Sequence, residues 1–527
     1  MVQRVVTFSF CLLPFALLAG CGPRAPEPLQ LTAISPHRDE VRQEFAWAFQ
    51  DWFRERTAGH THAVRLAADA LREHNDPARR RAFAAAVEGL LADWREDELT
   101  GVRAAYQRWQ QAPTAEHAQA VVTALDDWPD ASRPVELVWQ DVGGGTSAIL
   151  RYVSARFKDR ESIGVDLLFG GGTDMYLRFA GQGLLHKLDM PRPVLDRIRP
   201  RLNGIPLYDP EGRWYGPMLS SFGILSNRRV LARIGQAEPV HWADLGRPGL
   251  RGWVAAGDPR VTGSVHMVYE IILQGQGWDR GFRTLLRLGA NTHSFLRDSG
   301  TLTRTVSNGE VAAAGNIDAQ ALGAVARDPD GMGFRLPPQE TVINPDAVAV
   351  LKGAPRRQLA RAFVEFSLSD AGQRLIFLRP GQPGGPRRHA LGRLSVVADL
   401  YDRFPPEVRA VGTVNPFAVR DTIAYQDQVA NGRWDALNDL FGAWVVDAHP
   451  ELAAAWQAVL ESGPEGPERQ RLEEELFAPP CPEAELAAHA RSIADDSPRV
   501  RTATVTRWGE EARQRYRRVR RLVNEGR

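Results

Sequence analysis

The chain alternates short apolar runs with helically spaced apolar positions, and clusters of glycine, serine and threonine separate the two. "LTAISP" (31–36) reads as a short buried strand, after which Val41, Phe45, Ala48, Phe49 and Trp52 recur at helical spacing. Ser35 and Pro36 are suited to cap that helix and open it, with Asp39 and Glu40 set against its positive end. "VELVWQDV" (135–142) is a second strand, followed by Gly143-Gly144-Gly145-Thr146 and a helix carrying Ile149, Leu150, Val153 and Phe157. "GVDLLFG" (164–170) is a third strand; a second Gly-Gly-Gly-Thr, 27 residues after the first, leads into a helix from Asp174. Strand, tight glycine loop and helix in repetition predict a parallel α/β sheet.

Between the first helix and the second strand, residues 57–133 are rich in Ala and Arg, with Leu, Val and Trp spaced to bury a face. They read as a helical insertion. Further strands or extended segments are predicted at "FGILSN", at Gly252 onward, at Val311–Gly315 and at "INPDAVAVLKG". Helices are predicted after Thr262-Gly263-Ser264 and after Ser299-Gly300-Thr301. From about Leu394 the chain reads as mostly helical and ends in the basic "RQRYRRVRRLVNEGR".

Composition changes this picture little. A chain of 527 residues suits several domains, and its 43% hydrophobic and 24% charged residues are ordinary for a globular protein. A net charge of +1 gives no electrostatic case for nucleic acid as a partner. No Gly-Lys-Ser/Thr phosphate loop, HExxH or GxSxG occurs, so neither Gly-Gly-Gly-Thr is a nucleotide loop and no enzyme chemistry is expected.

The N-terminus supplies an address. Arg4 precedes an apolar run from Val5 to Leu18, 14 residues long, too short for a spanning helix and fitting a secretory signal core. The run ends in Leu18-Ala19-Gly20-Cys21, which resembles the lipobox of bacterial lipoproteins and makes Cys21 the expected acylated N-terminus. Residues 1–20 are then a signal peptide, and 21–30 a Pro-rich tether that keeps the folded part on the periplasmic or cell-surface side of a membrane. With Cys11 removed and Cys21 acylated, Cys481 is left alone and no internal disulfide is available.

The order of these signals resembles the two-lobed extracellular solute-binding proteins of ABC importers, closest to the ferric-iron branch. The stretches that carry the resemblance are "LTAISPHRDEVRQEFAWAF", "VELVWQDVGGGTSAILRYV", "GVDLLFGGGTDMYLRFAGQGLL", "WYGPMLSSFGILSN", "TRTVSNGEVAAAGNIDAQAL" and "INPDAVAVLKGAPRRQLARAFVEFSLSDAGQRLI". The resemblance implies an α/β, two-lobed type II periplasmic-binding-protein fold with a hinge, plus a helical insertion and a helical C-terminal extension. Lobe one would comprise 31–227 and 343–460, lobe two 228–342, and the extension 461–527, with "SSFGILSN" and "NPDAVAV" as hinge strands. It also implies a permease and its ATPase as partners and a monomeric chain. No cofactor is implied.

Helix-opening loops beyond the ends of parallel strands are natural anion sites: they offer unpaired N–H groups, the positive helix end and short hydroxyl donors. The candidate contacts are Ser35, His37, Thr146, Ser147, Thr173, Ser220, Ser221, Thr262, Ser264, Asn316 and Asp318. The ferric-binding relatives hold the metal with adjacent tyrosines where this chain has Asn316, Ile317 and Asp318, and none of its nine tyrosines are adjacent. The expected ligand is therefore a small phosphate- or carboxylate-bearing solute. A ferric ion on other ligands, or a periplasmic sensor reusing the fold, remain as alternatives.

Overall fold

The computed structural model describes residues 27–128, 133–410, 415–463, 466–494 and 498–525. Cys21, the signal peptide and most of the tether lie outside them. β1 (Leu29–Ile34) sits between β2 (Val135–Gln140) and β3 (Leu167–Gly172), parallel to both, in register from Leu29↔Val135 to Ile34↔Gln140 and at Ala33↔Leu167. β4 (Tyr215–Asn227) is buried along its whole length because it serves two sheets. Its second half pairs with β7 (Ala313–Ile317), which extends in parallel to β5 (Val254–Gly257) and from there to β6 (Thr292–Leu296). β8 (Met332–Arg335) lies antiparallel on the other edge of that half. β9 (Ile343–Val350) then returns antiparallel between β3 and the first half of β4.

Two sheets sharing one long strand make two lobes. The chain crosses between them within β4 near Ser221–Phe222, and again between β8 and β9. A third crossing runs beside the second: Ile423 donates its N–H to the Thr341 carbonyl at 2.9 Å, and Gln339 to that of Asp421 at 3.1 Å.

α1 (Asp39–Glu73) buries Val41, Phe45, Phe49, Phe53, Val64 and Leu71 along one stripe. It runs unbroken through Thr57 to Glu73, so the first helix continues into the segment read as an insertion. α2 (Pro77–Leu91), α3 (Thr100–Gln111) and α4 (Ala115–Asp126) pack on its second half, so Phe83, Leu90 and Trp109 extend the same core as Phe45, Phe169 and Phe363. Arg56 fastens this region to lobe one through Glu365 at 2.9 Å. Helix opening falls later than expected at the first site: the N-cap is Arg38, not Ser35.

α5 (Thr146–Phe157) and α6 (Thr173–Gly181) follow the two Gly-Gly-Gly runs in lobe one. In lobe two α7 (Gly263–Gln276), α8 (Trp278–Asn291), α9 (Ser299–Ser307) and α10 (Asp318–Arg327) follow or connect its strands. α11 (Arg357–Leu368) and α12 (Asp370–Phe377) return to lobe one.

The C-terminal part departs from expectation in two ways. The described residues of 394–426, read as mostly helical, hold only short helical pieces such as Leu400–Arg403. Residues 427–460, assigned from sequence to lobe one, pack instead into the core of lobe two. Leu437, Phe441, Trp444 and Trp456 share that core with Ile271, Phe282 and Leu285. The physical reason is the third crossing, which delivers α13 (Asp427–Phe441) and the later helices to the far side of α7 and α8. There Arg433 closes on the buried Glu270 at 2.7 Å.

Candidate binding cleft

The lobes enclose a cavity of about 890 Å³. Lobe one lines it with the turn after β1 (Pro36, His37, Arg38), the opening of α5 (Gly143 to Thr146) and the opening of α6 (Gly171, Gly172, Asp174). Lobe two lines it with the openings of α7 (Thr262, Gly263, Ser264), α9 (Ser299, Gly300) and α10 (Ile317, Ala319). Ser220 and Asn344 to Asp346 come from the crossings, Arg393 and Trp434 from the returning chain. Five helix N-termini thus open on one space, and each brings partial positive charge and free N–H groups.

The glycines at the end of β3 are required by close approach. Gly170 has φ +101°, and a Cβ there would stand 2.4 Å from the His37 ring. A Cβ on Gly171 would meet Thr146 Oγ1 at 3.1 Å, and one on Gly263 would meet Thr146 Cβ at 2.9 Å. Thr146 is therefore seated between glycines of opposite lobes. Arg151 of α5 adds a contact of the same kind, donating to the Arg260 carbonyl at 3.1 Å.

The lobe-one wall carries a buried ionic set. Asp346 receives His37 Nε2 at 3.0 Å, Arg393 at 3.1 Å and the Gly171 N–H. Burial alone would raise the Asp346 carboxyl; His37, Arg393 and the Gly171 N–H instead hold it well below the usual carboxylate range. Burial lowers the pKa of the His37 imidazole below its ordinary value, against the pull of Asp346. Arg393 also donates to Ser220 Oγ at 3.3 Å. Arg38, Arg297, Arg304 and Arg327 line the same cavity, and among the described residues neither Arg297 nor Arg327 makes an ion pair.

The lobe-two wall sets a chain of hydroxyls among the exposed charged side chains Arg297, Asp298, Arg304 and Arg327. Thr262 and Ser264 hydroxyls are 3.1 Å apart, Ser264 and Ser299 hydroxyls 2.6 Å. Behind them Thr303 donates to the Ser299 carbonyl, and Asn316 Nδ2 donates to Thr303 Oγ1 at 2.8 Å. Trp434 stacks on His266, ring centres 3.6 Å apart, at the junction with α13.

Of the residues singled out in the sequence, the structure brings His37, Thr146, Ser220, Thr262 and Ser264 to the cavity. The others stand behind it. Ser35 Oγ accepts the His37 N–H at 3.1 Å, and Ser147 and Thr173 are buried in the helix openings without lining the space. Ser221 donates both its N–H and its hydroxyl to Asp318 Oδ2 at 2.8 Å, and Asp318 also accepts the Ala319 N–H, which makes it a helix-end acceptor. Asn316 is spent on Thr303. Asp174, Asp346, Arg393 and Trp434 went unnoticed. Asp174 alone had a signal, one residue past the threonine of the second glycine run.

Among the described residues no group of three or more His, Cys, Asp or Glu side chains is placed to hold a metal ion. The same residues include no helix long and apolar enough to cross a membrane.

Residues 163–379 match the family described as bacterial extracellular solute-binding protein. The periplasmic binding protein P5PA superposes with a TM-score of 0.53 at 16% identity, over 79% of this chain and 99% of that one. The fold is that of a two-lobed periplasmic binding protein. A second structure with this architecture, AfuA from Actinobacillus pleuropneumoniae with exogenous fructose-6-phosphate bound, superposes at a TM-score of 0.50 and 15% identity. It covers 81% of this chain and 97% of that one. Phosphoglycerate transport regulatory protein PgtC of Salmonella typhimurium is 33% identical over 158 residues, 30% of this chain. This chain spans 39% of the length of that curated relative. The match to the family covers the end of lobe one's first part, residues 228–342 of lobe two and the first two helices of the return, and so includes the crossing within β4 and the one between β8 and β9.

Proposed function

We propose that this protein is the substrate-binding lipoprotein of an ABC importer. It captures a small phosphate- or carboxylate-bearing solute between its lobes and delivers it to a permease and ATPase as a monomer tethered through Cys21. The observation that carries the anionic choice is the convergence of five helix N-termini and six arginines (Arg38, Arg151, Arg297, Arg304, Arg327, Arg393) on one cavity. Four carboxylates share it: Asp346 is neutralised by its partners, Asp298 caps α9, and Glu40 and Asp174 remain. The fructose-6-phosphate bound to AfuA, and the phosphoglycerate whose transport the Salmonella relative is named for regulating, support the same class. The ferric reading loses support, because Asn316 and Asp318, which stand in place of the paired tyrosines, are spent on Thr303 and Ser221.

A thermal melt of the full chain against sugar phosphates, phosphoglycerates, small carboxylates and ferric ion tests this. A true ligand at a hundredfold excess over its Kd stabilises by about 2.7 kcal/mol. A visible charge-transfer band with ferric ion, and no shift with any anion, would overturn the choice. One observation favours a second reading, a periplasmic sensor: the Salmonella relative is named for regulating transport. Uptake of the identified solute by cells lacking this protein separates the two. Loss of uptake supports transport; unchanged uptake with altered expression of the transporter supports sensing.

A further inference from the structure

One wall of the cleft holds a carboxyl group that no other residue answers. Asp174, in the first turn of α6, lines the cavity and is 3% exposed, and neither of its oxygens has a hydrogen-bond partner. Its surroundings add negative charge: burial first, then Asp427 and Glu270, push its carboxyl well above the ordinary range. Arg178, whose charge opposes this, is engaged by Asp435 at 2.9 Å, and Glu270 is closed by Arg433 at 2.7 Å. Nearby, Asp427 Oδ1 and the buried Tyr425 hydroxyl also lack partners.

Every other carboxylate buried against the cavity is satisfied, Asp346 by His37, Arg393 and Gly171 and Asp318 by Ser221 and Ala319. A buried acceptor without a donor carries a desolvation cost of about 1–3 kcal/mol, more when charged, so a group left in that state at a binding wall is matched by its ligand. The geometry points to Asp174 as the contact for a hydrogen-bond-donating substituent, ammonium or hydroxyl, on a solute whose anionic group is held by the arginines and helix ends of the same cavity. The solute class is then an amino- or hydroxy-substituted small anion, and a bare anion is a poor ligand. This inference rests on the anionic reading of the cleft.

The test is calorimetric titration of the full chain with matched pairs: glycerol 3-phosphate against propyl phosphate, phosphoethanolamine against ethyl phosphate, and glycerate against propanoate. The expected result is at least tenfold tighter binding of the donor-bearing member in at least one pair. Asp174→Ala should shrink that gap to within twofold and leave the unsubstituted member unchanged. Preference for the amine names an ammonium, preference for the alcohols a hydroxyl; both support the assignment. If Asp174→Ala melts too low to titrate, the isosteric Asp174→Asn gives the same reading, a loss of more than fivefold confined to the donor-bearing member. Equal binding within every pair, or equal losses of both members in the variant, overturns the role of Asp174 and leaves the anionic cleft standing. Failure of every anion to bind overturns both.

Discussion

The two walls of the cleft solve the same problem with different chemistry. Lobe one places a charged set, His37–Asp346–Arg393, where each member is held by another at 3.0–3.1 Å. Lobe two keeps its charges, Arg297, Asp298, Arg304 and Arg327, exposed, and its buried part offers hydroxyls, Thr262, Ser264 and Ser299, linked at 2.6–3.1 Å and backed by neutral Asn316 and Thr303. The difference follows from where each wall sits. The lobe-one set lies against the crossing strands, where Asp346 and Ser220 are shared by fold and site. A charge buried there needs fixed partners, and once it has them it is rigid. The lobe-two hydroxyls stand at helix ends, can rotate their protons, and leave no charge behind when one is removed. Lobe one therefore couples binding to folding, whereas lobe two is expected to adjust affinity alone.

The largest expected effect breaks the charged wall. Arg393→Leu leaves Asp346 buried with His37 and the Gly171 N–H as its remaining partners, a loss of about 3–5 kcal/mol for one partner of a buried pair, and removes the buried arginine of the cavity. Urea unfolding and solute titration should both show it; an unchanged unfolding midpoint would remove the coupling claimed for lobe one.

Next comes Asp318, the buried carboxylate at the opening of α10. Burial pushes the Asp318 carboxyl up to about 6, above the value of about 4 it has when unfolded. The folded state thus binds that proton more tightly than the unfolded chain. Its contribution to stability is present below the unfolded value and is lost as pH rises through about 6. Between pH 4 and pH 7 the wild type should lose on the order of 2 kcal/mol relative to Asp318→Asn, by paired unfolding curves. Parallel curves would mean that the Ser221 and Ala319 donors fully offset the burial.

The smallest effect probes the hydroxyls of lobe two. Ser264→Ala removes one hydroxyl from the chain between Thr262 and Ser299 and should weaken solute binding by about 1 kcal/mol, roughly fivefold, with the melting temperature nearly unchanged. A loss of stability as large as that of Arg393→Leu would erase the contrast between the walls.

Several elements of the cleft were legible from one dimension. The Gly-Gly-Gly-Thr runs mark turns at strand ends because only glycine tolerates the backbone of Gly170 and Gly171, and that local rule gave Thr146 and the helix openings. The same rule misled at Thr173 and Ser147, whose side chains turn into the lobe while Asp174, one position on, lines the space. Helical periodicity located α1 but not its length, because the packing of α2–α4 on its second half, at Val64, Ala68 and Leu71, carries it past Thr57. Arg393 lies in a segment without periodicity, and its role arises only because a strand from another part of the chain brings Asp346 to 3.1 Å from it.

The sequence by itself determined the order of strands, glycine loops and helices, the helix-opening positions and the absence of adjacent tyrosines. These depend on backbone sterics and on neighbours close along the chain. Only the tertiary structure decided which carboxylates are neutralised, that Trp434 and the helices after it belong to lobe two, and that Asp174 is left unanswered at the cleft. Those depend on the crossings between lobes, which join residues far apart along the chain, such as Asp346 and His37, into one low-dielectric space.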